Sequence, residues 1–359
     1  MKIGILTFHC VPNFGAVFQA YALKEYLKSL GHEVSILDYR PDYLTSLDSP
    51  FSARKFKNTT IATAIKRFAR EVVTLPIVLR RKRIFRSFTN RYLDIVPFRD
   101  LLNNFDAIFF GSDQIWNIRI TEGTDDVFWG VDKRLMGKKL VAYAASAGSV
   151  TNLQSHTDYL KQAVLGFHAI GVRETSLCNF ISPFRKDVCQ TVDPVILAGV
   201  DAFRLISKKP KKVKDYLLLF QLGHDPKARE IAEKIAAERH LELVEILSQT
   251  ISLRGNRVIN TISPENLLGL FEYSSYIVSS SFHGTVLALL FQKEFVYVQF
   301  NKEGGERVHD LLFDLNIIER HIDSDIKKLP QSPIDYANVS VRLADLRNKS
   351  IQFISNALS

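Results

Sequence analysis

The stretch KIGILTFHCVPNFGAVFQAYALKEYLKSLGHEVSILD, residues 2–38, decides the fold. Residues 2–8 form an apolar run of strand length, and Asn13-Phe14-Gly15 reads as a turn. Apolar residues then recur at Val17, Ala20, Tyr21, Leu23, Tyr26, Leu27 and Leu30, which is helical spacing. Gly31 stands where a C-terminal cap belongs, and residues 33–37 form a second strand. Strand, short turn, helix and strand in that order predict parallel pairing through a right-handed crossover. The turn lacks the glycines of GxGxxG, so a dinucleotide is not indicated.

The same alternation continues outward from this unit. Strands are predicted at 106–110, 139–144, 169–172 and 188–192, with a helix at 153–167. Lysine-rich residues 208–214 read as an exposed connector. A second series follows, with strands at 216–220, 241–246, 276–279 and 295–298. Its helices are predicted at 226–238, 263–271, 284–291, 306–315 and 341–357. Ser263 caps one of these, with Pro264 at its first position. The expected fold class is α/β, with two Rossmann-like domains facing a cleft. The expected boundaries are 1–205, with a basic helical insertion at 52–94, then 206–335, and a C-terminal helix at 336–359.

Composition fits a soluble globular protein: 359 residues, 46% hydrophobic and 24% charged. No apolar run reaches the roughly 18–20 residues that a membrane-crossing helix needs. The N-terminus reads as a strand and not as a secretory leader. Cys10, Cys178 and Cys189 have neither CxxC spacing nor companion histidines, so neither a disulfide framework nor a metal site is expected. These features favour the cytoplasm. Walker A, GxSxG, HExxH and EF-hand patterns are absent.

Residues 54–91 contain twelve Lys or Arg and one acid, Glu71. This stretch carries +11 in a chain of net +9, so the rest sums to −2. It reads either as a solvated helical face or as a docking surface for anionic groups: membrane headgroups, the pyrophosphate of a lipid carrier, or nucleic acid. Its aromatics (Phe56, Phe68, Phe85, Phe88) fall at spacings of the buried face of a helix. With no nucleic-acid motif present, a nucleic-acid partner is not expected.

Open α/β sheets bind ligands beyond the carboxyl ends of their strands. That rule selects 9–15, 111–117, 146–148, Arg173-Glu174, Asp193 and 279–285. In Ser279-Ser280-Ser281-Phe282-His283-Gly284-Thr285, a strand runs straight into a helix whose N-terminus suits a phosphate or carboxylate. His283 there either donates a proton or, with the serines, caps the helix. Gly284 would let a ligand approach the backbone. In Gly111-Ser112-Asp113-Gln114-Ile115-Trp116-Asn117, Asp113 is either a base or a cap, and Trp116 either stacks on a sugar or packs in the core. Arg173 forms a fork to an anion or pairs with an acid, and Asp193-Pro194 reads as a turn.

Together these segments resemble the polysaccharide pyruvyl transferase family. The resemblance is carried by NFGAVFQAYALKEYL (13–27), DAIFFGSDQIWN (106–117), YAASAG (143–148), VRE (172–174), Asp193-Pro194, SSSFHGTVLALLFQKEF (279–295) and ERVHDLL (306–312), in the family's order. Many members have TDSFHG where this chain has SSSFHG, so Ser280 replaces an acid. The resemblance implies a fold similar to the GT-B glycosyltransferases. It also implies phosphoenolpyruvate as co-substrate with no further cofactor, and a sugar acceptor that is often a lipid-linked glycan. On that basis His283 is expected as general acid and Asp113 as base or acceptor anchor. Arg173, Ser281, Gly284 and Thr285 are expected at the donor, on the side of the C-terminal domain. Asn13, Gly15, Ser112, Gln114, Trp116 and Asn117 are expected at the acceptor. A glycosyltransferase using a nucleotide sugar and a non-catalytic binding protein of the same fold are the alternatives.

Overall fold

The computed structural model describes residues 1–47, 51–52, 60–98, 104–211, 215–248, 250–252, 258–299, 305–322 and 329–359. Its first sheet contains β1 (Lys2–Leu6), β2 (Glu33–Asp38), β3 (Ile95–Pro97), β4 (Ala107–Phe110), β5 (Lys139–Ala145), β6 (Ala169–Val172) and β7 (Cys189–Gln190), in the order β3-β2-β1-β4-β5-β6-β7. Its second contains β8 (Tyr216–Gln221), β9 (Glu242–Leu247), β10 (Val258–Ile259), β11 (Tyr276–Ser279), β12 (Phe295–Val298) and β13 (His321–Ile322), in the order β10-β9-β8-β11-β12-β13. Every named strand pair is parallel, with Ile5 opposite Phe109 and Val278 opposite Leu219. The strand order reverses between β1 and β4 and again between β8 and β11, and these switch points are where ligands bind in such sheets.

Helices cover both sheets: α1 (Phe14–Ser29), α2 (Asp42–Leu47), α3 (Ile61–Tyr92), α4 (Thr157–Leu165), α5 (Thr175–Ile181), α6 (Pro194–Ala198) and α7 (Val200–Arg204) in the first half. The second half has α8 (Pro226–Glu238), α9 (Pro264–Tyr273), α10 (Phe282–Leu290) and α11 (Gly305–Asp314), and α12 (Tyr336–Leu358) closes the chain. The Asn13 side chain caps α1 by accepting from the Ala16 N–H, and Gly31 beyond its end holds φ +84. Ser263 caps α9 as its sequence predicts.

Several expectations change. The sequence predicts an interruption of the basic helical stretch near Pro76, since proline removes a backbone donor. Instead α3 runs through it for 32 residues, because buried Thr74, Arg81, Phe85 and Phe88 hold the turns on either side of the one missing backbone bond. Residues 53–59, including Arg54, Lys55, Phe56 and Lys57, lie outside the described residues. Asp193-Pro194 does not make a simple turn: Asp193 caps α6 by accepting from the Val195 N–H at 2.9 Å. The expected helix at 153–167 is α-helical only over Thr157–Leu165, preceded by 3₁₀ turns.

One apolar core runs across the seam between the halves, where the Phe14 and Phe220 rings lie 6.1 Å apart. Helix α12 packs back on the first half. The Val192 N–H donates to Ser350 Oγ at 2.9 Å, and Arg347 Nε to the Leu197 carbonyl at 2.6 Å. No helix among the described residues is long and apolar enough to cross a membrane.

Candidate active site

Asp193 stands at the centre of the site. It is buried, and its Oδ2 lies 2.9 Å from Arg173 Nη2 and 3.5 Å from His283 Nε2. Burial alone would raise its pKa, but the Arg173 guanidinium and His283 outweigh that and hold the carboxyl well below the usual carboxylate range. Arg173 also donates to Ser112 Oγ, and its guanidinium lies 5.4 Å from the centroid of the Phe282 ring. Arg307, from α11, lies at the same distance from that ring. Its Nε is 3.9 Å from Oε1 of buried Glu174, which also accepts from Ser146 Oγ. Burial lowers the pKa of Arg307, as does neighbouring Arg173, while Glu174, Asp113 and Asp193 oppose the shift.

Two guanidiniums thus face two carboxylates, and the bonds do not saturate them. Arg173 Nε and Nη1, Arg307 Nε and His283 Nε2 are buried atoms without a hydrogen-bond partner. Buried donors are almost always paired, so such a set calls for an anion in that place.

Two cavities lie near these strand ends, and the smaller of them borders the cluster. The larger, about 720 Å³, opens between the carboxyl ends of β1 and β4 and the long helix α3. Asn13, Asp113 and Gln114 line one wall, Arg67, Arg70, Arg81 and Lys82 another. Residues Thr250 and Ile251 of the second half also line it, and Arg70 Nη2 donates to the Ile251 carbonyl at 3.2 Å. The smaller cavity, about 370 Å³, is bordered by Arg173, Asp193, Phe282, Arg307 and Lys349.

The sequence matches the family model described as polysaccharide pyruvyl transferase over residues 13–300. The chain belongs to the polysaccharide pyruvyl transferase family. It is therefore a transferase. This transferase is similar in structure to a putative UDP-N-acetylglucosamine 2-epimerase from Listeria monocytogenes, with TM-score 0.50 and 11% identity over 97% of this chain and 91% of that one. It is also similar to the UDP-GlcNAc 2-epimerase from Methanocaldococcus jannaschii (TM-score 0.49, 12% identity, 96% and 93% coverage). A third similar structure is a spinosyn forosaminyltransferase (TM-score 0.44, 13% identity, 98% and 95% coverage). At such identity the first of these shows only the fold, two parallel sheets with helices in an arrangement similar to GT-B. No curated relative matches the sequence.

Within the transferase, the predicted site residues separate into distinct groups. His283 and Arg173 meet at Asp193, and Ser112 joins them, its Oγ 3.3 Å from Asp193 Oδ2. Gly15 lies against His283 across the seam: a Cβ there would fall 2.2 Å from His283 Nδ1. Asp113 and Gln114 face the larger cavity. Asp113 Oδ1 accepts from the Gln114 N–H, and Gln114 Oε1 accepts from Asn117 Nδ2 at 2.6 Å. Asn13 is both a cap and a cavity wall.

Three expected contacts change. Trp116 is not a sugar platform: it is wholly buried, stacked at 4.5 Å on Trp129, with its Nε1 donating to the Phe128 carbonyl. Gly284 does not admit a ligand. Its missing Cβ lets α10 pack on β11 and β8, where an added Cβ would meet Ser279 Oγ at 2.2 Å and Phe220 at 2.7 Å. Buried Thr285 donates its hydroxyl to the Ser281 carbonyl inside its own helix. Ser281 is the N-cap residue of α10, but its side chain makes no capping bond. Ser280, in the position of the family's acid, accepts the Leu222 N–H at 3.2 Å and binds the chain to β8's end.

Sequence reasoning missed Arg307, Glu174 as its partner, and the centrality of Asp193. For Arg307 the signal lies in ERVHDLL (306–312), one of the stretches that carry the family resemblance. Another pair, buried His9 and half-buried Asp38, joins the ends of β1 and β2 at 2.8 Å. The hydrogen bond from His9, aided by Arg40, pushes the Asp38 carboxyl down to about 2. The folded pKa is depressed, so its stabilisation is complete above about pH 4 and is lost as pH falls toward 2. Asp38 is partly solvated, so Asp38→Asn should cost about 1 kcal/mol at pH 7 and flatten the stability curve over that window. Chemical denaturation at stepped pH checks this; an unchanged slope would remove the pair from the acid response.

Proposed function

We propose that this transferase moves pyruvate from phosphoenolpyruvate onto a pair of sugar hydroxyls, forming a cyclic ketal during surface-polysaccharide synthesis. One observation carries the reading: buried Arg173, half-buried Arg307 and a histidine converge with unsatisfied nitrogens around one apolar ring. A small trianionic donor, carrying a phosphate and a carboxylate around a flat enol, suits that set. Arg173 and Arg307 hold the anionic groups, and His283 delivers a proton to the methylene carbon. The oxocarbenium-like centre so formed is attacked by a hydroxyl, whose proton passes to Asp113. Phosphate then leaves, and a second hydroxyl closes the ring as its proton passes to His283, while the proton on Asp113 goes to the departing phosphate or to water. Asp193 does not touch the donor; it positions both Arg173 and His283. The sugar enters by the larger cavity, where Asp113 and Gln114 meet it. The reading carries with it a lipid-linked glycan as acceptor, action in the cytoplasm and a basic helix that favours anionic surroundings.

Thermal unfolding with and without phosphoenolpyruvate tests the donor. A ligand at about 100 times its Kd adds roughly 2.7 kcal/mol, enough to see as a shift in Tm. A shift with phosphoenolpyruvate and none with pyruvate or nucleotide sugars supports the proposal. A shift with a nucleotide sugar alone would replace it with glycosyl transfer. Arg173→Lys keeps the charge but loses the fork, so it should raise the donor KM with a smaller change in kcat. An unchanged KM would take Arg173 away from the donor.

A further inference from the structure

Phe68 was expected on the buried face of its helix, and the structure leaves it 55% exposed. It is not alone. Ile61 (81% exposed), Ile65 (64%) and Val72 (48%) are spaced with it at i, i+4, i+7 and i+11, and exposed Leu79 continues the row. At 100° per residue these side chains share one face of α3, about 130° around the helix from the residues that line the larger cavity. Phe51 adds its ring to the row, 5.2 Å from Phe68. Exposed Lys66, Arg80, Arg83 and Arg86 surround it.

A contiguous apolar row on a cationic helix too polar to cross a bilayer fits the plane of a lipid surface. We propose that α3 docks the protein on an anionic membrane surface by inserting Ile61, Ile65, Phe68 and Val72 among the acyl chains, with the basic residues against the headgroups. The charge pattern selects this occupant over a second copy of the chain. Two copies meeting through the same face would bring their cationic rims together, whereas an anionic leaflet neutralises them. With the apolar row down, the side of α3 that lines the cavity stays clear of the surface. The inference goes beyond pyruvyl transfer and does not depend on it, since no step uses the donor site.

The test is flotation of the full chain with phosphatidylcholine vesicles and with vesicles that also contain phosphatidylglycerol, at low and high salt. Binding to the anionic vesicles is expected, with a part of it surviving high salt because apolar insertion is not screened. Ile65→Asp with Phe68→Asp should weaken that binding at least about tenfold. The Tm and the circular dichroism of this variant should stay unchanged, since both positions are solvent-facing. Absence of wild-type binding, or equal binding by the double variant, overturns the proposal. So does a wild-type dimer in sedimentation that the double variant dissociates while vesicle binding is unaltered, which would make the row a subunit interface.

Discussion

His283→Ala should reduce turnover by about a hundred- to ten-thousand-fold, the range for losing a positioned proton donor, while the protein stays folded. The side chain is 15% exposed, makes no hydrogen bond through Nε2, and touches Asp193 at 3.5 Å. Its loss leaves no buried charge without a partner, because Asp193 keeps Arg173 and the Val195 N–H. The stability cost should therefore stay near 1 kcal/mol. Phosphate release from phosphoenolpyruvate in the presence of acceptor measures the effect, with Tm as the control for folding. Activity near wild type would remove His283 from the chemistry. Gly15→Ala gives the complementary arm. It leaves the imidazole in the sequence but drives a methyl into it from the other half of the protein, so kcat should fall while donor affinity persists.

Asp193→Ala should be the most destabilising single change in the site, by about 3–5 kcal/mol. The carboxylate is fully buried, caps α6, and is the ion-pair partner of a guanidinium that is only 3% exposed. Truncating it leaves Arg173 charged beside Arg307 in a low-dielectric environment. Asp193→Asn keeps the cap and the shape, so it should cost less in stability yet still misplace Arg173 and His283, lowering kcat. A double-mutant cycle with Arg173→Met separates the pair from its parts. Denaturant unfolding reads it, and additive losses would mean that the two side chains act independently. The carboxyl is held below its ordinary range, so the stabilisation persists above that range and is lost only as pH falls through the folded value, in strong acid.

The parallel sheets were legible because their strands are short apolar runs, as in Ala107–Phe110 and Tyr276–Ser279, each followed by small polar residues. Ser263-Pro264 and Asp193-Pro194 carry the same capping signal, yet only the first predicts a helix start from its sequence. A ten-residue helix begins at Pro264, whereas Gly199 ends the other helix after five. Trp116 shows a second limit. A tryptophan at a strand end has the chemistry of a sugar platform, and only its stack on Trp129, thirteen positions along the chain, assigns it to the core. Phe68 shows the reverse: period alone cannot say whether an apolar face meets the protein's own core or something outside it. Arg307 was hidden for a different reason. Its partners Glu174 and Phe282 come from distant parts of the chain, and nothing local marks an arginine as buried.

Arg173, Glu174 and Asp193 belong to the first half, His283 and Arg307 to the second. The cluster is therefore divided between two bodies, like a key cut across its length. On the proposed reading, parting the halves by even a few ångströms would take His283 from Asp193 and Arg307 from Arg173, and an open molecule would be an idle one. Phosphoenolpyruvate, bridging both arginines, would itself serve as the bolt: the substrate would fasten the machine that consumes it, and phosphate departure would release it.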